Sequence, residues 1–406
     1  MRNYGAIGID FGTESIKAVA LEAGTDGSVK VVGTSAALSE GLRKGVIVDI
    51  DAAAKSLSHA IEALKKSADI GSGNIYAGIG GVGLSFQKSK GLVAVSRADG
   101  EVSKEDLKRA VSASESNLVR AQNREILHSI PISYKIDNET VTHDPIGLSG
   151  IKLEAETFFV TVFAQHFKGL LKTFDEAGVS LEDAVSLPMA SAQALLSKRE
   201  KEVGVMVLDI GSSTTSLIIF EENYPYSLEI LPIGSGHITN DIAVGFQIPI
   251  EEAEKLKVNY GTVEKNSETP ATKRTGKNSA DDIVYGHYSK KKLTNIIEDR
   301  LSDIFELTEK HLKKVGREGL LPGGVVVTGG GSNLPGITEY TREHLKLPAR
   351  LAEIHNLGGM REKVKNPAWA GAVGVALIAL ENHTNGGAFA GGTKGTLMRW
   401  LRAFLP

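Results

Sequence analysis

A short motif of strand, polar turn and strand occurs twice in the sequence and constrains the fold more than any other feature. The first copy covers residues 5–20 and the second covers residues 203–220. In both, an Asp follows an apolar strand, a glycine stands two residues later, and hydroxyl side chains come next. Two such copies half a chain apart indicate an internal duplication, with one turn from each half facing a shared cleft.

The residue types in these turns suit phosphate binding. Glycine lets backbone N–H groups approach an anion, and Ser or Thr adds hydroxyl donors. A neighbouring carboxylate becomes useful when Mg²⁺ lies between it and the phosphate. Two ordinary hairpins with glycine turns are the alternative, and the matching order of both copies argues against it. The predicted phosphate-binding residues are Asp10, Gly12, Thr13, Ser15 and Lys17, then Asp209, Gly211, Ser212, Ser213 and Thr214, with Asp10 and Asp209 holding Mg²⁺ through water.

A third glycine-rich turn lies near the end of the chain. Residues 324–328 are predicted to form a buried strand, and the turn Gly329-Gly330-Gly331-Ser332 follows it. Consecutive glycines let a flat group lie directly on the backbone, as a nucleoside requires. After two phosphate turns, this element supplies the missing wall of a nucleotide cleft.

Composition narrows the class of protein. A chain of 406 residues suits two or three domains, and 41% hydrophobic with 23% charged residues is typical of a globular protein. The net charge of −3 gives no support for a nucleic-acid partner. The absence of cysteine excludes disulfides and thiolate sites. The sequence has no signal-peptide pattern and no apolar run long enough to span a membrane.

Residues 84–162 differ from the rest of the first half in the spacing of their predicted strands and helices. Strand-like runs at 92–96, 125–137 and 153–163 surround a helix predicted over residues 101–122, with Ser103 as its N-cap. The short, turn-rich spacing indicates a small α+β module inserted in the first domain. His128 and His143 lack the spacing of metal ligands, so we expect structural roles for both.

The last residues are predicted to form an amphipathic helix after a Gly-rich flexible linker. At 100° per residue, the apolar side chains of residues 396–406 fall on one arc that excludes both arginines. A helix of roughly ten residues is only about 15 Å long, so it lies in the membrane interface without crossing. Docking on the protein's own core is the alternative. The predicted membrane-binding residues are Leu397, Met398, Arg399, Trp400, Leu401, Arg402, Phe404 and Leu405.

These turns, in this order, resemble those of the actin, heat-shock chaperone and sugar-kinase superfamily. More closely, the chain resembles the FtsA family of bacterial actin-like cell-division proteins, over nearly its whole length. The runs at residues 126–131 and 145–154 are similar to the family's inserted subdomain 1C and are the most discriminating motif. The resemblance implies an α/β, actin-like (duplicated ribonuclease H-like) two-domain ATPase fold. It also implies ATP with Mg²⁺ in the cleft, self-assembly into filaments, and attachment to anionic lipid at the division site on the cytoplasmic face of the inner membrane.

The resemblance further implies a subdomain layout and additional contact residues. Subdomain 1A would comprise residues 1–83, 163–200 and 366–383, subdomain 1C residues 84–162, subdomain 2A residues 201–238 and 320–365, and subdomain 2B residues 239–319. A linker would follow at 384–395 and the membrane helix at 396–406. Gly234, Ser235, Glu254 and Lys257 would contact the nucleotide, and Lys291, Lys292 and Arg300 the FtsZ C-terminal tail. Subdomain 1C would meet other division proteins.

Three residues depart from the family's turns. Many relatives carry Asp where this chain has Ser216 and glycine where it has Ser212, and Glu14 adds an acid beside the first turn. Loss of a carboxylate that orders metal and water weakens hydrolysis more than binding, so we expect at most slow ATPase activity. The alternatives are a PilM-like pilus adaptor, which would lack the amphipathic tail, and a sugar kinase, which would need a catalytic Asp between its domains.

Overall fold

The structure describes most of the chain up to residue 384. The computed structural model covers residues 4–24, 26–67, 74–118, 123–141, 143–264, 283–285 and 288–384. The predicted amphipathic helix and all but the first residue of the predicted linker lie outside this part, as do residues 265–282 and 286–287. No helix within the described ranges is both long and apolar enough to cross a membrane.

Strands and helices alternate through the first half of the chain. Its elements are β1 (Tyr4–Phe11), β2 (Ser15–Ala23), β3 (Val29–Leu38), β4 (Leu42–Arg43), β5 (Val46–Ile47), α1 (Ile50–Ser67), β6 (Asn74–Ile79), β7 (Leu84–Ala94), α2 (Lys104–Ser116), β8 (Arg124–Ile136), β9 (Glu139–Val141), β10 (Lys152–Phe163), α3 (Ala164–Glu176), β11 (Asp183–Ser186) and α4 (Leu187–Leu195). Leu57, Ile61 and Leu64 recur at helical spacing in the sequence and are buried on one face of α1.

The second half has the same mixture of elements. They are α5 (Lys198–Val203), β12 (Val205–Ile210), β13 (Thr215–Glu221), β14 (Tyr224–Leu231), α6 (Ser235–Phe246), α7 (Ile250–Tyr260), β15 (Ile283–Tyr285), β16 (Tyr288–Ser289), α8 (Lys290–Lys314), β17 (Val325–Thr328), α9 (Ile337–Leu345), β18 (Ala349–Leu351), β19 (Leu357–Gly359) and α10 (Ala370–Thr384). Three short 3₁₀ helices, at Gly330–Asn333, Arg361–Val364 and Pro367–Trp369, join the last of them.

The two central sheets repeat one strand pattern. In the first, with order β11-β6-β1-β2-β3-β19, β1 pairs antiparallel with β2 and parallel with β6. In the second, with order β14-β13-β12-β17-β18, β12 pairs antiparallel with β13 and parallel with β17. Asp10 lies opposite Lys17 in the first hairpin, and Asp209 lies opposite Ser216 in the second. The duplicated α/β fold predicted from the sequence is confirmed.

Helices α4 and α10 hold the two halves together through small residues. A Cβ atom on Gly374 of α10 would lie 1.8 Å from the carbonyl oxygen of Ala190 in α4. A Cβ atom on Gly8 of β1 would lie 2.3 Å from the backbone nitrogen of Ala376. The apolar core around these helices contains side chains of both sheets. Helix α10 therefore lies directly on α4 and on the strand that carries Asp10, as the small-residue sequences of both helices predict.

The insert is a four-stranded antiparallel sheet, β7-β10-β8-β9, with α2 on one face. The predicted N-cap is confirmed, because Ser103 and Asp106 form a reciprocal capping box at the start of α2. Helix α2 is shorter than predicted, and β7 is longer, with Phe86 of β7 stacked on Phe158 of β10. Buried His128 accepts a hydrogen bond from the backbone N–H of Ser186 at 2.9 Å, and burial lowers its pKa to about 3. The neutral imidazole has the structural role we predict.

The insert also contacts the second half directly. Tyr226 of β14 lies between two cations, with Lys88 of β7 4.3 Å and Arg317 4.2 Å from its ring centroid. Arg317 in turn forms an ion pair of 2.6 Å with Glu221 at the end of β13. His143 stacks on the neighbouring Tyr224 with ring centroids 4.0 Å apart, which gives this histidine a structural role as well. The insert is thereby fixed to both halves of the protein.

Candidate functional site

Two hairpin turns of the same construction face each other across a cleft between the halves. The connecting residues are 12–15 in the first turn and 211–214 in the second. A Cβ atom on Gly12 would lie 2.7 Å from the Ser15 carbonyl oxygen, and one on Gly211 would lie 2.9 Å from that of Thr214. Each glycine is therefore required by the tightness of its turn. The backbone of this turn is consequently the same in both halves.

Asp10 and Asp209 bring two carboxyl groups close together beside these turns. Burial raises the pKa of both, and Lys17 partly opposes this effect. The charge of Asp10 adds to burial at Asp209, whose pKa reaches about 7. Lys17 lies opposite Asp10 in its own hairpin, whereas Asp209 has only Ser216 opposite it. A hard divalent cation favours the ionised form of such crowded carboxyl groups, so these residues fit the predicted Mg²⁺.

The N-terminus of α6 is joined to the second turn. The backbone N–H of Ser235 donates to the Gly211 carbonyl oxygen at 2.8 Å, and that of Gly236 donates to the Ser212 carbonyl oxygen at 2.8 Å. A Cβ atom on Gly234 would lie 2.4 Å from the Gly211 carbonyl oxygen. The positive end of the α6 dipole is therefore placed beside the turn, where it favours an anion. Gly234 and Ser235 lie at the cleft where they were predicted.

Glu254 and Lys257 of α7, both predicted to contact the nucleotide, lie against the first turn of α6. The Lys257 ammonium group lies 2.7 Å from Glu254 Oε2, 2.7 Å from Thr239 Oγ1 and 3.2 Å from the Ser235 carbonyl oxygen. These contacts tie α7 to the first turn of α6. Only 13% of the Lys257 side chain is exposed, against 46% of Glu254. Glu254 is therefore the more accessible of the two to a ligand.

The glycine-rich turn packs against the strand end that carries Asp209. A Cβ atom on Gly329, whose φ is 84°, would lie 2.3 Å from Asp209 Oδ1. A Cβ atom on Gly331 would lie 2.5 Å from the Ile210 side chain, while Gly330 has no neighbour within 4 Å of that position. The open surface over Gly330 is the part of this turn on which a flat group fits. Buried Ser332 instead donates its hydroxyl to the Gly329 carbonyl oxygen at 2.7 Å and stabilises the turn itself.

Three supports of the cleft were not predicted. The Gly45 backbone N–H donates to Thr13 Oγ1 at 3.1 Å, which ties the β4–β5 hairpin to the first turn. A Cβ atom on Gly371 would lie 3.1 Å from Asp10 Oδ2, so the start of α10 touches this carboxyl group. Asn366 and Asn333 exchange two side-chain amide hydrogen bonds, of 3.1 and 3.2 Å, beside the glycine-rich turn. Only Asn366 has a sequence signal, because Asn-Pro before an apolar run marks a helix start.

The three cations predicted on α8 differ in their surroundings. Arg300 donates to both carboxylate oxygens of Asp241 on α6, at 2.6 and 3.0 Å, and to Asp303 at 2.9 Å. The Lys292 ammonium group donates to the Gly245 carbonyl oxygen at 2.6 Å. Lys291 is exposed at the start of the helix. Arg300 is therefore already engaged with carboxylates of its own chain, whereas the first turn of α8 presents cations to solvent.

Two α/β halves, with duplicated acid-and-hydroxyl turns and a glycine-rich turn between them, define an actin-like protein. Solved structures share this fold. PilM in the "PilM-PilN type IV pilus biogenesis complex" has 17% identity and a TM-score of 0.67, covering 93% of this chain and 98% of that chain. "MreB5 of Spiroplasma citri bound to ADP" has 15% identity and a TM-score of 0.56, covering 94% of this chain and 99% of that chain.

Sequence comparison then assigns the family. The description "Cell division protein FtsA" matches residues 206–374, and "SHS2 domain inserted in FTSA" matches residues 81–161. Cell division protein FtsA of Pseudomonas aeruginosa is 32% identical over 381 residues, covering 94% of this chain and 90% of that protein. The FtsA of Borreliella burgdorferi is 32% identical over 380 residues, covering 92% of this chain and 91% of that protein. The chain belongs to the FtsA family of cell division proteins.

Replacement of Asp209 by Asn tests the crowding of the two carboxyl groups. The pKa of Asp209 is raised from 3.8 to about 7, so between these values the folded state binds more protons than the unfolded state. The nucleotide-free wild type therefore loses stability as pH rises through this window, whereas Asp209→Asn loses less, because only Asp10 of the pair then has a raised pKa. We expect the Tm difference, variant minus wild type, to grow by at least about 2 °C between pH 5 and pH 8 in thermal unfolding.

Asp26→Asn is the matched control. Hydrogen bonds from Ser28 lower the pKa of the Asp26 carboxyl group, so it is ionised in both states between pH 5 and pH 8. The Tm difference for this variant should stay constant over that range. A constant difference for Asp209→Asn as well would contradict the raised pKa.

Proposed function

We propose that this FtsA-family chain is a membrane-tethered, ATP-binding actin-like protein that polymerises on the inner membrane at the division site and anchors FtsZ there. The observation that carries this proposal is the cleft, in which Asp10 and Asp209 meet between two hydroxyl-bearing turns beside an open glycine surface. Residues 84–162 act as subdomain 1C, residues 239–319 as subdomain 2B, and the remaining described segments as subdomains 1A and 2A.

The cofactor in this proposal is ATP with Mg²⁺. Actin-like neighbours named as "MreB5 of Spiroplasma citri" are described as bound to ADP and to AMPPNP, at 15% identity each. In this chain the nucleoside lies on the surface over Gly330, and its phosphates meet the N–H and hydroxyl donors of the two turns. Asp10 and Asp209 hold Mg²⁺ through water, which offsets the cost of ionising both carboxyl groups.

Hydrolysis is slow in this proposal. Attack on a phosphate needs a carboxylate that orders the metal and the water, and this chain has Ser216 where many relatives carry such an acid. Ser216 lies directly opposite Asp209 in the second hairpin, beside the pair of acidic side chains. Binding uses the donors of both turns and does not depend on position 216. Nucleotide binding in the cleft therefore controls the assembly state of the protein more than it supplies a reaction product.

Membrane attachment is assigned to residues 396–406, and the partner segment is the FtsZ C-terminal tail. One short amphipathic helix binds lipid weakly, and many copies on one filament raise the overall affinity without new contacts. The FtsZ tail is placed on α8, where Lys291 and Lys292 are exposed and attract an acidic peptide. Because Arg300 is paired with Asp241, a peptide carboxylate that binds Arg300 has to share it with Asp241.

The two alternatives have less support. The likeness to PilM is at 17% identity, which concerns the fold alone, whereas the FtsA relatives match in sequence over more than nine-tenths of this chain. A sugar kinase needs a catalytic Asp and a substrate pocket between its domains. Asp10 and Asp209 lie beside the two turns of this cleft, where their carboxyl groups suit metal and phosphate.

Asp209→Ala tests the nucleotide site. Without this carboxylate one of the two metal-holding groups is missing, so we expect MgATP affinity measured by calorimetry to fall by at least about tenfold. Asp175→Ala, on the exposed surface of α3, removes the same charge away from the cleft and should leave the affinity unchanged. Wild-type affinity in Asp209→Ala would place the metal site elsewhere.

Deletion of residues 396–406 tests the membrane anchor. We expect the full chain to sediment with vesicles that contain anionic lipid, and the truncated chain to stay in the supernatant. The control is a chain in which the same eleven residues are scrambled, so that composition and charge are kept and the apolar face is lost. If all three chains sediment equally with the vesicles, another surface of the protein binds lipid.

Arg300→Glu tests the partner site on α8. Reversal of this charge repels an acidic peptide and also opposes Asp241, so the dissociation constant of an FtsZ-tail peptide should rise by about tenfold or more. Arg342→Glu makes the same charge change on α9, where Arg342 pairs with exposed Glu339, and should have little effect. If Arg300→Glu binds the peptide as tightly as Arg342→Glu does, the peptide binds to another face of the protein.

A further inference from the structure

Glu14 of the first turn reaches across the cleft to the second turn. Its Oε2 lies 3.5 Å from the hydroxyl oxygen of Ser212. Its carbonyl oxygen accepts a hydrogen bond from the Ser39 backbone N–H at 3.2 Å, so its backbone is fixed to the first half. The side chain is exposed and forms no ion pair within the described part of the chain. Glu14 is thus a free carboxylate aimed at a hydroxyl donor of the opposite turn.

The group that Glu14 faces belongs to an anion site. A Cβ atom on Gly236 would lie 2.9 Å from Ser212 Oγ, so this hydroxyl lies between the N-terminus of α6 and Glu14. The positive end of the α6 dipole lies there and favours a negative charge, while the first backbone N–H groups of α6 donate to the Gly211 and Ser212 carbonyl oxygens. In the nucleotide-free protein the carboxylate of Glu14 accepts from this hydroxyl. The 3.5 Å contact is long for a hydrogen bond, so a stronger anion displaces it readily.

The position of Glu14 matches the far end of a phosphate chain. The glycine-rich turn packs on Asp209 and Ile210, at the end of β12. Residues 211–214 and 12–15 extend beyond these strand ends, and the contact between Glu14 and Ser212 joins them. A nucleotide with its base on the glycine surface therefore directs its last phosphate toward this contact. A shorter phosphate chain ends before it.

We propose that Glu14 is an internal competitor for the terminal phosphate, and that it lowers the affinity for a nucleoside triphosphate more than for a diphosphate. This inference rests on the nucleotide function proposed above. A triphosphate has to displace the carboxylate of Glu14 from Ser212. The terminal phosphate is then repelled by the negative charge of that carboxylate. Two like charges about 4 Å apart repel by about 1 kcal/mol in water and by more in a partly buried cleft. That cost corresponds to a factor of about five or more in the dissociation constant.

Glu14→Gln tests this proposal, because glutamine has the same size and lacks the charge. The dissociation constants of MgATP and MgADP are measured by calorimetry for the full-length wild type and the variant, after equal Tm values have been verified. We expect MgATP to bind about fivefold more tightly to the variant, and MgADP to bind with nearly unchanged affinity. Glu62→Gln, on the exposed face of α1, is the control for net charge and should match the wild type.

Each other outcome has a distinct meaning. Weaker MgATP binding to Glu14→Gln would make Glu14 part of the metal shell and overturn the proposal. Equal gains for MgATP and MgADP would show a general charge effect without discrimination of the terminal phosphate, and unchanged affinities would show no role at all; both results overturn it. Failure of wild type and variant alike to bind either nucleotide would instead contradict the proposed nucleotide function.

Discussion

The close contact of α10 with α4 and β1 sets the geometry on which the rest of the structure depends. It is possible only because Gly374 and Gly8 have no side chains, since a Cβ atom on either would overlap backbone atoms of the neighbouring element. The first turn of the same helix places Gly371 beside the carboxyl group of Asp10. Packing between the halves and the position of the first acid are therefore fixed by one element. Any side chain at these positions would move the two turns apart.

This packing destabilises the nucleotide-free protein, because it places two carboxyl groups close together. Asp10 and Asp209 are held near each other at partly buried positions, with Lys17 as the nearest cation to both. Such crowding destabilises the folded protein, and a cation that favours the ionised form of both carboxyl groups would offset this cost, so stability and ligand affinity would oppose each other at these two residues. The first hairpin has Lys17 opposite Asp10 and the second has Ser216 opposite Asp209, and burial together with the charge of Asp10 raises the pKa of Asp209 to about 7.

The local parts of the site were predictable from the sequence, and the long-range ones were not. Gly12 and Gly211 indicate turns in the sequence, because a tight turn restricts which residue types it can contain. The repeat of the motif predicts the duplicated fold. The pairing of Arg300 with Asp241 joins residues 59 positions apart, and the contact of Glu14 with Ser212 joins residues 198 positions apart. Neither leaves a periodic signal. Ser332 was predicted to face the nucleotide as part of the glycine-rich turn, but it is buried, and its hydroxyl donates to the Gly329 carbonyl oxygen of the same turn.

The two junctions between the halves respond differently to solution conditions. The contact of α4 with α10 is apolar and buried, so salt has little effect on it. The contact of the insert with β14 consists of Tyr226 between Lys88 and Arg317, with Glu221 completing the charges, and dissolved ions screen such groups. Salt therefore weakens the contact of the insert with β14 more than it weakens the packing of α4 on α10.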